Sequence, residues 1–248
     1  MAHKLRVAVA GAFGRMGTVA REALQRTGEY CCGLARTGDE KREIFDSLDG
    51  VLARKPDVLL DLSTQPASYE ISLATVGHGV CVVVGASGWS DDERAALGAL
   101  AQERCVGALI VPNFSLGATL MMRFAQEAAR FFSDVEIVDL HHVAKKDKPS
   151  GTARETIARI ERVTGKAPAA HSIRLTGLLA HHEVLFGAPG ELLTIRHDSF
   201  TRESFVAGML AAVRAVVHRR GLSIGLDSIL DDPAGEVILN RSKDEVSA

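Results

Sequence analysis

Residues 141–156 read HHVAKKDKPSGTARET, which gathers two imidazoles, three lysines and a Ser-Gly-Thr step into one short stretch. His141 and His142 close the run VEIVDLHH (135–142), where alternate side chains of a strand face opposite sides, so the two rings need not do the same job. Lys145 follows within four residues and can fold back over the same spot, and Pro149 stiffens the turn. Thr152 and Glu155 have the Thr-x-x-Glu spacing of a capping box. Ser150, Gly151 and Thr152 then set hydroxyls and N–H groups at the positive end of a helix, an anion site. Two imidazoles, an ammonium and that nest suit a carboxylated substrate with a proton donor to hand. The plain alternative is a solvated connector, and for Lys148 that is the preferred reading.

A second stretch, GAFGRMG, spaces Gly11, Gly14 and Gly17 between an apolar strand and a helix. In a dinucleotide-binding turn the first glycine permits the tight bend and the second lets the backbone approach a pyrophosphate. The third lets the helix pack against the sheet. Arg15 and Met16 stand where such a loop meets its cofactor, or are ordinary first-turn residues; a packing turn without ligand is the alternative for the loop as a whole. The second strand ends GLARTGDE, with Ala35, Arg36 and Thr37 where an NAD-selective site offers an acid. A guanidinium beside a hydroxyl suits a 2′-phosphate, so NADPH is expected over NADH. If Arg36 is only a solvated loop residue, both cofactors are accepted.

These residues need a scaffold, and the first 113 residues alternate strands with helices. LRVAVAG (5–11), YCCGLA (30–35), VLLDLS (58–63), VCVVVG (80–85) and GALIVPN (107–113) read as strands, and 15–28 and 91–104 as helices. That alternation implies an α/β fold with a Rossmann-type doubly wound parallel sheet. Beyond Phe114 the texture is α+β: helices over 117–132 and about 153–164, strand-like segments between 171 and 200, and a late helix over 204–221. We expect residues 1–113 with 209–248 to form the dinucleotide-binding domain. Residues 114–208 would form a substrate-binding and oligomerisation domain with a mixed or antiparallel sheet.

A formal net charge of −2 argues against a nucleic-acid surface, and no apolar run is long enough to span a membrane. The start MAHKLRVAVAG carries no signal-like segment, and a cytoplasmic protein is expected. Cys31 and Cys32 would face opposite sides of a strand, and Cys81 and Cys105 lack ligand spacing, so all four are expected reduced and mostly in the core.

HHVAKKDKPSGTA resembles the His-His-x-x-Lys-x-Asp-x-Pro-Ser-Gly-Thr-Ala signature of the 4-hydroxy-tetrahydrodipicolinate (dihydrodipicolinate) reductase family. GAFGRMG, VPNFSLG (111–117) and RLTGLLAHHEVLFGAPGELLTIRHDSFTRESFVAG resemble further parts of that family, especially its shorter, actinobacterial-like members. The resemblance implies His141 as catalytic acid/base and Lys145 as second proton donor. It implies substrate-carboxylate contacts from His142, Ser150, Gly151 and Thr152. Cofactor contacts would fall on Gly11, Ala12, Phe13, Gly14, Arg15, Met16, Arg36, Gly85, Ala86, Ser87, Val111, Pro112, Asn113 and Phe114. It also implies a homotetramer, a cyclic dicarboxylate substrate and a place in lysine and diaminopimelate synthesis; a reductase of the same build acting on another imine or an aldehyde is the alternative. The chain departs from the family at Ala86, at Leu62 where an aromatic is common, at Pro66, at Ala35, and at Thr176 and Ala180 where glycines are usual. Lys146 is an extra lysine beside Lys145.

Among the other polar groups, His181 and His182 lack a companion acid or cysteine at ligand spacing, so no metal is expected and the pair reads as structural or interfacial. Arg174, Arg196 and His197 are expected at a subunit interface rather than on substrate. Asp61 and Ser63 suit a turn-capping role as well as a cofactor one.

Overall fold

The computed structural model describes residues 4–230. They divide into two compact units, 4–114 with 205–230, and 115–204. The part of the returning segment beyond residue 230 lies outside the described residues.

In the first unit β1 (Val7–Ala10), β2 (Tyr30–Leu34), β3 (Ile44–Phe45), β4 (Val58–Asp61), β5 (Cys81–Val84) and β6 (Gly107–Ile110) are all parallel. Strands β1, β4, β5 and β6 are buried at every residue, as continuous apolar runs covered on both faces must be. The helices between them are α1 (Arg15–Thr27), α2 (Leu48–Leu52), α3 (Ala67–Gly77) and α4 (Asp91–Glu103). Ser90 caps α4 in a complete capping box with Glu93. The strand order runs β6-β5-β4-β1-β2-β3, so the winding reverses between β1 and β4. Ligands of open α/β sheets bind at such a switch point, beyond the carboxyl ends of the strands. The glycine loop and the segments after β2, β4, β5 and β6 all leave from that edge.

The second unit opens with α5 (Leu116–Ala128), then β7 (Asp134–His141), α6 (Gly151–Thr164), β8 (Ala169–Arg174), β9 (Ala180–Ala188) and β10 (Glu191–Ser199). Its sheet is mixed, in the order β10-β9-β7-β8, with β7 and β8 parallel and the other pairs antiparallel. One face packs on α5 and α6 through Met121, Met122, Ala125, Ile137, Ile160, Val184 and Phe186. The chain then re-enters the first unit.

The expected late helix over 204–221 is shorter: a 3-10 turn at Arg202–Phe205 leads into α7 (Val206–Val216), and β11 (Gly221–Ile224) adds to β6 before α8 (Asp227–Leu230). The helix stops at Val216, and Gly221 opens β11, with φ +73° and its N–H on the Val106 carbonyl at 3.0 Å. The small residues of α7 allow close packing; a Cβ on Gly208 would sit 1.9 Å from the Phe114 carbonyl oxygen. Arg214 of α7 forks onto Glu29 at 3.0 and 2.9 Å.

Candidate active site

Strand β7 delivers His141 at its last position, where the ring is buried, and sends His142 out into solvent. A loop of nine residues then returns to α6. Lys145 donates its backbone N–H to the His142 carbonyl at 2.9 Å, and its ammonium lies 3.0 Å from Asp147 Oδ1. Burial would raise the Asp147 carboxyl, but Lys145 and Arg154 hold it below its ordinary value. Lys146 is exposed. The loop ends at Ser150, whose side chain accepts the Ala153 N–H at 3.2 Å and so caps α6. The expected Thr152/Glu155 capping box therefore does not form: the helix starts earlier, at Gly151, and Glu155 pairs with Arg159 and Arg162 instead. Gly151 and Thr152 lie in the first turn, where N–H groups have no intrahelical acceptor and the helix end is positive.

Asp139, which the sequence pattern passes over, sits beneath this loop with no exposed surface. The register of the sheet sets it opposite Ser172 of β8 and His182 of β9, with His197 of β10 next in the row. One oxygen, Oδ2, accepts from the Ser150 N–H (3.0 Å), the Ser172 hydroxyl (3.2 Å) and Arg174 Nη2 (2.9 Å). The other, Oδ1, lies 2.8 Å from His141 Nδ1 and 3.2 Å from His182 Nε2. The His141 contact is off the line of a full hydrogen bond. Burial alone would push the Asp139 carboxyl up, but His141, His182, Arg174 and the Ser150 N–H hold it far below the usual carboxylate range.

Arg174 is an inward-facing clamp. Its side chain is 5% exposed and donates to the Asp139 carboxylate and carbonyl and to the Asp147 carbonyl, so it ties the loop to the strand. His197 also points inward, 3.1 Å from the Ser115 hydroxyl that caps α5. Arg174, with so little of its side chain exposed, does not fit the expected place at a subunit interface, while His197 is half-buried. Arg196 is exposed and pairs with Asp198 and Glu183. The two neighbouring histidines part ways: His181 contacts Asp198 at 2.7 Å, while His182 belongs to the Asp139 cluster, 3.0 Å from Ser150 Oγ and edge-on to His141 at 5.1 Å. Burial holds the His182 ring below the ordinary histidine value. The missing acid partner of His182 comes from another strand, which spacing along the chain cannot reveal. Nitrogen and oxygen atoms of Asp139, His141 and His182 lie within 4.8 Å of one another, close enough to hold a cation. Arg174 already compensates the same carboxylate, so the geometry reads as a hydrogen-bonded cluster.

In the first unit, Gly11 turns with φ +73°, and a Cβ there would lie 2.6 Å from the Leu62 carbonyl oxygen. A Cβ on Gly17 would lie 2.1 Å from the Gly11 carbonyl oxygen, so α1 can approach its own loop only through glycine. Gly14 is the N-cap of α1, without a side-chain cap. A bare helix N-terminus behind a glycine turn fits a pyrophosphate, and on that ground these residues suit a dinucleotide. Arg21 holds the loop by its Ala12 carbonyl (2.8 Å). Phe13, Gly14 and Arg15 are exposed, Met16 is partly so, and Arg36 is exposed beyond β2. Gly85 packs under Phe114 and Leu62, so Leu62 fills the space beside this glycine. Ala86 is buried in the core, and Ser87 keeps an exposed hydroxyl. Val111 and Phe114 are buried, Pro112 exposed and Asn113 half-buried. Asp61 accepts from Ser63 N (2.9 Å), Ser63 Oγ (2.6 Å) and Ser68 Oγ, the turn-capping arrangement. Gly177, with φ +92°, turns the loop between Thr176 and Ala180. Three of the four cysteines are buried, but Cys105 is exposed, with φ +56°.

A doubly wound dinucleotide-type unit joined to an α+β unit with a buried His–Asp cluster, and a lysine in the loop that follows it, defines a nicotinamide-dependent oxidoreductase. Residues 5–114 match the family model for the N-terminus of dihydrodipicolinate reductase, and residues 117–230 match the model for its C-terminus. The 4-hydroxy-tetrahydrodipicolinate reductase of Streptomyces avermitilis is 44% identical over 92% of this chain and 98% of its own. That of Enterococcus faecalis is 39% identical over 91% of this chain and its whole length. Dipicolinate-bound dihydrodipicolinate reductase from Paenisporosarcina sp. TG-14 superposes with a TM-score of 0.84 at 32% identity, over 92% of this chain and all of the other. The chain belongs to the dihydrodipicolinate reductase family.

Proposed function

We propose that the chain reduces 4-hydroxy-tetrahydrodipicolinate, by way of its dehydrated form, to tetrahydrodipicolinate in diaminopimelate and lysine synthesis. The observation that carries this reading is the single loop that runs from His141 past Lys145 to the Ser150-capped helix end, with both His141 and Ser150 held against Asp139. A reduced nicotinamide, when bound, supplies the hydride. The residues from Gly11 to Met16, with Gly85 to Ser87 and Val111 to Phe114, would hold that cofactor in the first unit. His141 delivers a proton to the ring carbon next to the reduced one, and Lys145 offsets negative charge that develops there. His142, Ser150, Gly151 and Thr152 grip a substrate carboxylate at the positive helix end. Residues 115–204 thus act as the substrate and oligomerisation domain and the remainder as the dinucleotide domain.

NADPH is the preferred cofactor in this reading, because Ala35 removes the usual acid and exposed Arg36 can meet a 2′-phosphate. The outer face of the four-stranded sheet exposes Ile173 and Leu192, which supports association of these sheets into a homotetramer. Sedimentation as a monomer at assay concentration would count against that assembly.

The test is the loss of NADPH absorbance when the protein meets freshly condensed pyruvate and aspartate semialdehyde from the preceding synthase step, with NADH run in parallel. Oxidation faster with NADPH, and a preference reduced by Arg36→Ala, supports both parts. Equal rates discard the Arg36 argument alone. No oxidation with either cofactor, where binding is demonstrated, rejects the substrate.

A further inference from the structure

We propose that His182 is a positioning residue for substrate capture: it carries its proton on Nε2, fills an acceptor site of the Ser150 hydroxyl, and leaves that hydroxyl as a donor to the substrate carboxylate. The inference rests on Ser150 being a carboxylate contact.

A serine hydroxyl has one hydrogen and two acceptor lone pairs. The Ala153 N–H takes one lone pair of Ser150 Oγ, at 3.2 Å. The other neighbour is His182 Nε2, at 3.0 Å. If Nε2 were a bare acceptor, the hydroxyl would spend its hydrogen on the ring and face an incoming carboxylate with oxygen against oxygen. Asp139 decides between the two arrangements. Its Oδ1 lies 3.2 Å from the same Nε2, and the carboxylate is compensated by Arg174. A nitrogen lone pair held against that buried charge is repelled, whereas an Nε2–H donated to Ser150 keeps its positive hydrogen on the side of Asp139, whose Oδ1 is too far off line to accept a full hydrogen bond. The other nitrogen leads to the same conclusion. His182 Nδ1 is buried with no hydrogen-bond partner among the described residues. A proton there would be a stranded N–H, the rarer and costlier defect. Burial keeps the ring neutral, so it holds one proton only. The cluster thereby fixes the polarity of Ser150 through a residue that need not touch substrate.

The experiment joins steady-state kinetics to nitrogen-15 spectroscopy of the histidine rings. His182→Leu should raise the KM for the dicarboxylate by about tenfold or more while kcat and the KM for NADPH stay within about twofold. His182→Gln, whose amide N–H can donate from a similar place, should recover most of the loss. The wild-type His182 ring should be neutral with its proton on Nε2, and Ser150→Ala combined with His182→Leu should be no worse than Ser150→Ala alone. An unchanged KM in Ser150→Ala overturns the carboxylate assignment, and this inference with it. A raised KM in Ser150→Ala beside a wild-type KM in His182→Leu, or a wild-type ring protonated on Nδ1, overturns the inference and leaves that assignment standing. Should His182→Leu fail to fold, the wild-type spectrum decides.

Discussion

A carboxylate with no exposed surface needs its charge compensated, and Asp139 is held by Arg174 at 2.9 Å with two imidazoles within 3.2 Å. Removing one partner of a buried pair typically costs about 3–5 kcal/mol, because the remaining charge is left uncompensated. Arg174→Met should therefore lower stability by that order and reduce activity, both measurable by denaturant titration and assay. Had Arg174 been an interface residue, the same change would weaken assembly and leave the isolated subunit's stability intact. Lys145 is a different case, since its ammonium reaches Asp147 at the loop surface. Lys145→Ala should fold normally and lower kcat by roughly 100-fold, the scale of one general acid, with the KM for NADPH unchanged; a wild-type kcat would remove Lys145 from the chemistry. His141, Lys145 and Ser150 stand out in the sequence because one loop carries them. Asp139, Arg174 and His182 do not, because three separate strands bring them together and only register tells which residues meet.

Elements with a strong periodic or capping signal are the legible ones. Helix α4 has acids in its first turn and a full capping box, and β1, β4, β5 and β6 are uninterrupted apolar runs. Helix α3 gives no such signal: its buried side carries Ser68, Ser72 and Thr75, so no apolar stripe marks it. Strand β3 and helix α2 are two and five residues long, too short for any period to show. Helix α6 starts earlier than its Thr152 cap signal implies because Ser150 and Thr152 are both good caps two residues apart, and only Ser150 lies where its hydroxyl meets the Ala153 N–H. The glycine loop makes a sharper claim. At Gly17 the obstacle to a Cβ is the Gly11 carbonyl oxygen, 2.1 Å away, which is backbone and cannot rotate aside. Gly17→Ala should force α1 away from its loop, costing about 1–3 kcal/mol as overpacking does, and should weaken dinucleotide binding measured by calorimetry. Gly77→Ala, where a Cβ meets nothing within 4 Å, is the matched control and should leave binding unchanged.

At the scale of the whole chain, the fold class was legible because strand–helix alternation admits few topologies, and the change of texture after Phe114 marks a second kind of architecture. No helix among the described residues is long and apolar enough to cross a membrane. What composition cannot indicate is how the interior responds to acid. His182 and His197 are both held below the ordinary histidine value, first by burial. His182 also faces Asp139, which favours the charged ring, and His141 and Lys145, which oppose it. Above about pH 6.5 neither ring binds a proton, folded or unfolded, and their contribution to stability is complete. As pH falls below that value the unfolded chain takes up protons that the native rings resist, so stability falls with pH, by at most about 1.4 kcal/mol per pH unit for each proton. Asp139 acts lower down. Its depressed carboxyl stabilises the fold fully above about pH 4, and that contribution is lost as acid drives the native carboxylate to protonate. Asp61 runs the other way: burial raises its carboxyl, so it takes a proton in the native state first and partly offsets the loss. The thermal midpoint should therefore decline in two stages, one beginning near pH 6.5 and a steeper one below about pH 4. His182→Gln should shrink the first stage and leave the second. A midpoint that stays flat from pH 7.5 down to about pH 5 in the wild-type protein would mean that these rings take up protons freely in the native state, and would remove the basis for a neutral His182.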